Sequence, residues 1–140
     1  MKTKTMLAML ALGATVAFAG PAFAEKMKAT LDGKSEVPAN TSAGKGTADV
    51  DYDAATKKLT WTLTYSGLSG PATAAHFHGP AEPGKNAGVA VAIPNAGTSP
   101  VSGSATLTDA QAADLTAGKY YVNIHTAANP GGEIRGQVTK

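Results

Sequence analysis

Short segments in which apolar and polar residues alternate make up most of the chain from residue 26 onward. The alternation is clearest from Lys58 to Tyr65, where the apolar positions are Leu59, Trp61, Leu63 and Tyr65. A period of two residues places one set of side chains on the core face of a β-strand and the other set in solvent. This segment is therefore predicted to be a strand with one buried face.

Seven further segments have the same period in a weaker form, and Gly, Pro, Asn and Asp separate them. They are Lys26–Leu31, Gly46–Tyr52, Ala72–His78, Gly88–Ile93, Val101–Leu107, Tyr120–Thr126 and Glu133–Thr139. One short helix is expected from Thr108 to Leu115, with Thr108 or Asp109 as its N-cap. About eight strands and one helix predict an all-β fold, an antiparallel Greek-key β-sandwich of two packed sheets.

The first residues have the pattern of an export signal. Lys2 and Lys4 precede an apolar run that ends close to Ala22-Phe23-Ala24, the small-residue pattern at which signal peptidase cleaves. The apolar run is too short to span a bilayer. We therefore predict a signal peptide at residues 1–24 and one domain at residues 25–140. The protein is expected to be periplasmic or secreted, with no membrane insertion after cleavage.

Charge and cysteine content narrow the classes of partner and chemistry. The sequence has 12 basic and 10 acidic residues, and loss of Lys2 and Lys4 with the signal peptide balances the two signs. A neutral domain without a basic run argues against nucleic acid as a partner. The chain has no cysteine. Thiolate chemistry is therefore excluded, and folding depends on apolar burial instead of disulfides.

The three histidines of the chain all lie at strand ends beside loops rich in Gly and Pro. His76 and His78 are two residues apart, so both project from one face of their strand while Phe77 points into the core. The same alternation in Tyr120–Thr126 directs His125 away from the core. If these two strands are neighbours, the three imidazoles form one site. Neutral imidazoles suit Cu(II), Zn(II) or Ni(II) and bind Cu(II) most tightly, so copper is the first expectation, before zinc or nickel.

Residues near His125 are candidates for positioning the histidines. Asn123 lies on the same strand face as His125, while Glu133, Arg135 and Gln137 share one face of the last strand. Glu133 is expected to accept a hydrogen bond from a histidine and so orient its ring, and Asn123 to support the site. Arg135 is expected either to steer an anion or to form a cross-strand ion pair.

Three runs of residues resemble the CHRD domain, a family first recognised in chordin. They are His76-Phe77-His78-Gly79-Pro80, then Tyr121-Val122-Asn123-Ile124-His125-Thr126, then Pro130-Gly131-Gly132-Glu133-Ile134-Arg135-Gly136-Gln137. The resemblance extends over about residues 27–138 and implies an immunoglobulin-like or superoxide-dismutase-like β-sandwich. Bacterial members of the family are similar in having a signal peptide and a single domain. Growth-factor binding is not implied, because the cysteine-rich modules that accompany the domain in chordin are absent here.

The His76-Phe77-His78 segment is also similar to the copper-ligand strand of copper/zinc superoxide dismutases. Those enzymes need more histidines, an aspartate at their zinc and a disulfide. This chain has one further histidine and no cysteine. The similarity therefore implies copper binding without dismutase activity.

Two functions from different classes remain open. The first is an exported metal-binding protein that holds one copper ion through His76, His78 and His125 for storage, delivery or resistance. The alternative is an extracellular protein-interaction module whose loops Gly79–Gly88 and Ala127–Gly132 form the binding rim, with histidines that only shape those loops. No nucleophile elbow or phosphate-binding loop is present, so catalysis enters only as a weaker third possibility, a redox enzyme with copper in an open site.

Overall fold

The computed structural model describes residues 13–15 and 24–140. The predicted signal peptide, residues 1–24, lies outside the described residues except for 13–15 and 24. Within the described part of the chain, no helix has the length and apolar character needed to cross a membrane.

Eight strands and one helix form the domain, as the alternation predicts. They are β1 (Glu25–Asp32), β2 (Lys45–Asp53), β3 (Lys58–Ser66), β4 (Ala72–His78), β5 (Val89–Ile93), β6 (Val101–Thr106), α1 (Asp109–Thr116), β7 (Tyr121–Thr126) and β8 (Ile134–Gln137). Every predicted strand is present, with its ends within two residues of the predicted positions. Thr108 caps α1 as expected, because its hydroxyl accepts a hydrogen bond from the Gln111 backbone N–H and its own backbone N–H donates to Gln111 Oε1.

The strands pair antiparallel in the order β5-β4-β7-β8-β1-β2-β3-β6. This is one continuous, nearly closed sheet, whereas the alternation predicts two packed sheets. Pairing of Asp32 in β1 with Arg135 in β8 joins the two halves, and an isolated bridge between Lys28 and Thr139 extends the junction. The sheet folds over, so that Trp61 of β3 meets Phe77 of β4 with ring centroids 5.3 Å apart. The predicted all-β antiparallel fold of about eight strands and one short helix is confirmed, and the folded sheet is sandwich-like.

Apolar side chains from the inner faces of the strands fill the core. The completely buried ones include Leu31, Leu59, Leu63, Phe77, Val122, Ile124, Ile134 and Val138. In β4 and β7, burial of Phe77, Val122 and Ile124 fixes which residues of these strands point inward. Because the side-chain period of a strand is two, the residues between them must point outward.

The outward faces of β4, β7 and β8 are covered by loops instead of facing open solvent. Residues 33–40 and 79–88 lie over them, and Asn123 and Arg135 are only 3% and 2% exposed. Asn86 Oδ1 accepts a hydrogen bond from Arg135 at 2.9 Å, which attaches the 79–88 loop to β8. The domain therefore has a second, polar buried layer on the side of the sheet that carries the histidines.

Candidate metal centre

Pairing of β4 with β7 brings the three histidines to one place. The antiparallel register sets Ala74 opposite His125 and His76 opposite Asn123. His76 and His125 are diagonal neighbours on the outer face, and His78 follows on the same face of β4. The strand adjacency on which the predicted three-histidine site depends is therefore present.

The distances between imidazole nitrogens fit one metal ion. One nitrogen from each ring lies within 4.8 Å of the others, and His76 Nδ1 is 3.0 Å from His125 Nε2. Two nitrogens held about 2.0–2.1 Å from one ion, at angles of about 90–109°, are about 2.8–3.4 Å apart. The His76–His125 pair already has this separation, and a nitrogen of His78 lies within 4.8 Å of both.

Backbone carbonyls of the two neighbouring loops orient the rings. His78 Nδ1 donates to the Ala87 carbonyl at 2.9 Å, and His125 Nδ1 donates to the Pro130 carbonyl at 2.8 Å. A hydrogen bond of this kind from one ring nitrogen fixes the tautomer and leaves the other nitrogen free to bind a metal. The predicted rim loops thus supply the groups that hold His78 and His125.

The surroundings favour the neutral form of the histidines. Burial lowers the pKa of His76, and the nearby His125 and His78 lower it further. Burial also lowers the pKa of His78, although its hydrogen bonds to Ala87 and Asn123 act in the opposite direction. Because only a neutral imidazole has a lone pair for a metal, this environment suits metal binding.

Arg135 has a different role from either of the two predicted for it. Its guanidinium donates to Asn86 and to the Lys85 carbonyl, and it lies 3.5 Å from the centre of the Tyr121 ring. The same Tyr121 ring stacks on His78 with centroids 4.8 Å apart and planes 3° apart. Arg135 therefore anchors the 79–88 loop and packs on the ring that supports His78.

The carboxylate of Glu133 contacts hydroxyl, amide and backbone N–H donors, not a histidine, so the orienting role predicted for it is wrong. Its donors are Ser42 Oγ, the Ser69 amide and hydroxyl, Thr126 Oγ1 and Asn129 Nδ2. Burial opposes ionisation, but these hydrogen bonds outweigh it and lower the pKa of Glu133 to about 2. Glu133 joins three loops, including the one whose Pro130 carbonyl holds His125.

Asn123 lies where the prediction put it, beside the histidines, with Oδ1 2.9 Å from His78 Nε2. Glu36, in the loop after β1, is a second carboxyl of this layer that the sequence did not indicate. It is 6% exposed, and burial raises its pKa to about 7, against the opposing effects of Arg135 and the Asn123 amide. A lone glutamate in a loop is usually exposed, so no sequence signal marks this one.

Comparison with known proteins gives one match. The family model described as the CHRD domain matches residues 27–138, a range that includes the three histidines, Asn123 and Glu133. No curated protein and no solved structure matches the chain. The match agrees with the residues that carry the resemblance in the sequence.

Proposed function

The chain belongs to the CHRD domain family, and within this fold we propose that it binds one copper ion through His76, His78 and His125. The observation that carries the proposal is the convergence of three imidazoles on one point, with His76 Nδ1 and His125 Nε2 separated by 3.0 Å. Every histidine of the chain takes part in this cluster.

Copper is favoured by the chemistry of the ligand set. Imidazole nitrogens bind Cu(II) more tightly than Zn(II) or Ni(II) when the ions are equally available. Softer ligands are missing: the chain has no cysteine, and Met27, the single methionine after residue 24, is buried in the core on β1. The set is therefore better suited to Cu(II) than to Cu(I).

Export through the predicted signal peptide would place this site outside the cytoplasm. His78 is buried, whereas His76 and His125 are half-buried at the rim between the two loops. An ion bound there stays accessible from one side, which suits exchange with another molecule. We propose copper storage, delivery or resistance as the use of the site.

Titration of the metal-free protein with Cu(II), followed by electron paramagnetic resonance, tests the proposal. We expect one equivalent of copper to bind with a nitrogen-rich signal. The double variant His76→Ala, His78→Ala is expected to bind at least about a hundred-fold more weakly, because two of three ligands are lost. Thr73→Ala is the matched control, since Thr73 is an exposed residue of the same strand.

Equal affinities of the double variant and the control would show that the histidines hold the loops and bind no metal. The interaction module would then be the better account, with the 79–88 and 127–132 loops as its surface. Parallel titrations with Zn(II) and Ni(II) test the choice of metal, and we expect both to bind more weakly than Cu(II).

A further inference from the structure

The amide of Asn123 is oriented by acceptors at its nitrogen end. Asn123 Nδ2 is 3.5 Å from the Gly131 carbonyl. The carboxyl of Glu36 is on the same side, because a Cβ built on Gly132 would lie 2.5 Å from Glu36 Oε1 and 2.7 Å from Asn123 Nδ2. The Gly131 carbonyl and the Glu36 carboxyl are both acceptor groups, so the NH₂ group belongs there and Oδ1 faces the histidines.

With this orientation, the two nitrogens of His78 each face an oxygen. Nδ1 faces the Ala87 carbonyl and Nε2 faces Asn123 Oδ1, both at 2.9 Å. In the tautomer whose Nδ1–H donates to the Ala87 carbonyl, Nε2 presents a lone pair towards Asn123 Oδ1, which is itself a lone-pair donor. The two atoms can therefore act as ligands of one shared cation.

The distance between His78 Nε2 and Asn123 Oδ1 is typical of two ligands that bind the same ion. Ligands about 2.0–2.2 Å from an ion and about 90° apart are roughly 2.8–3.1 Å from each other. The His78–Asn123 contact of 2.9 Å and the His76–His125 contact of 3.0 Å both have this length. Asn123 is also the residue paired with His76 across β4 and β7.

We infer that Asn123 Oδ1 is the fourth ligand of the metal centre, which makes it a site of three nitrogens and one oxygen for a divalent ion. The inference rests on the proposed function and adds its coordination. An amide oxygen is a hard ligand that favours divalent ions, whereas Cu(I) prefers sulfur ligands. The ion that the protein carries is therefore the oxidised, divalent one.

Two substitutions at Asn123 distinguish a role of its Oδ1 as a metal ligand from a purely structural role of its amide. Leucine has the same number and branching of side-chain heavy atoms as asparagine but offers no ligand atom, so Asn123→Leu is expected to weaken Cu(II) binding by about ten- to a hundred-fold. Asn123→Asp keeps an oxygen at the same place and adds charge. It is expected to bind at least as tightly as the wild type, with shifted parallel g and hyperfine values in the paramagnetic resonance spectrum.

Thr73→Val, which removes a polar atom from an exposed position of β4, is the control and should leave both affinity and spectrum unchanged. Circular dichroism establishes that each variant is folded, and the aspartate variant still tests the inference if the leucine variant does not fold. Wild-type affinity and spectrum in Asn123→Leu would overturn the inference. Equal weakening in the leucine and aspartate variants would also overturn it, since the amide would then only hold His78 in place.

If the proposed function is wrong, the experiment gives a different result. The wild-type protein then binds no Cu(II), and its titration is the same as that of the histidine variants. When the histidines bind copper and Asn123 is no ligand, the wild type binds Cu(II), the histidine variants do not, and the leucine and aspartate variants of Asn123 either bind as the wild type does or are weakened equally.

Discussion

Replacement of Glu133 by alanine is expected to lower the free energy of unfolding by about 3–5 kcal/mol. Glu133 is completely buried, and its carboxylate accepts hydrogen bonds from the last residue of β7 and from one residue in each of three loops. Alanine leaves these donors buried without a partner, and each unsatisfied group costs about 1–3 kcal/mol. Urea denaturation at neutral pH measures the change. Glu82→Ala is the control, because the Glu82 side chain is 69% exposed, and its expected change is below about 0.5 kcal/mol.

The same carboxylate has a defined effect on stability at low pH. The pKa of Glu133 is about 2 in the folded protein, against an ordinary value of 4.5. Its ionisation therefore stabilises the fold fully above pH 4.5, and this contribution disappears as the pH falls towards 2. We expect the stability difference between wild type and Glu133→Ala to narrow over that range. If the difference in unfolding free energy between the two proteins stays constant from pH 5 to pH 2.5, the Glu133 carboxylate is not the stabilising charge assigned here.

Substitution of Gly136 by alanine is expected to destabilise the domain by about 3 kcal/mol or more. A Cβ atom on Gly136 would lie 2.2 Å from the carbonyl oxygen of Thr30 and 2.6 Å from its carbonyl carbon. Both are backbone atoms of β1, so no rotation of a side chain relieves the clash. The substitution forces β8 away from β1 at the junction that joins the two halves of the sheet.

Thermal unfolding of Gly136→Ala measures this effect, with Gly131→Ala as the matched control. Gly131 is five residues away, and a Cβ built on it has no atom within 4 Å. The control should unfold within a few degrees of the wild type, whereas Gly136→Ala should unfold more than about 10 °C lower. Equal midpoints for the two variants would show that β8 and β1 can separate at little cost.

The strands could be predicted because each is determined by its own alternation. Leu59, Trp61 and Leu63 are all inward and almost completely buried, as their spacing requires. The helix could also be predicted from a short stretch of sequence, because Thr108 and Gln111, which cap it, lie within one turn of each other. The closure of the sheet was not predictable in this way. It depends on pairing between β1 and β8, at opposite ends of the domain, and no pattern within either strand specifies that partner.

The candidate site also contains residues whose positions follow from the pattern of their own strand and residues whose positions depend on distant parts of the chain. His76 and His78 share a face because of their spacing alone, and Asn123 and His125 follow from the alternation of β7. The contacts of Glu133 depend on Ser42 and Ser69, which reach it from loops more than 60 residues away in sequence. The burial of Glu36 likewise depends on how its loop folds over β7 and β8. Neither environment has a local signal in the sequence.

The chain has a single tryptophan, and its position under the histidines makes it a natural fluorophore for the site. Trp61 is 2% exposed and packs edge-on against Phe77, the residue between His76 and His78. Its emission should be blue-shifted in the folded protein and should move to longer wavelength on unfolding. If paramagnetic Cu(II) binds at the histidines, on the face of β4 opposite to Phe77, it should quench the Trp61 emission. Diamagnetic Zn(II) at the same place should leave the emission unquenched. Folding, and any Cu(II) bound at the three histidines, can thus be followed by tryptophan fluorescence of the unlabelled protein.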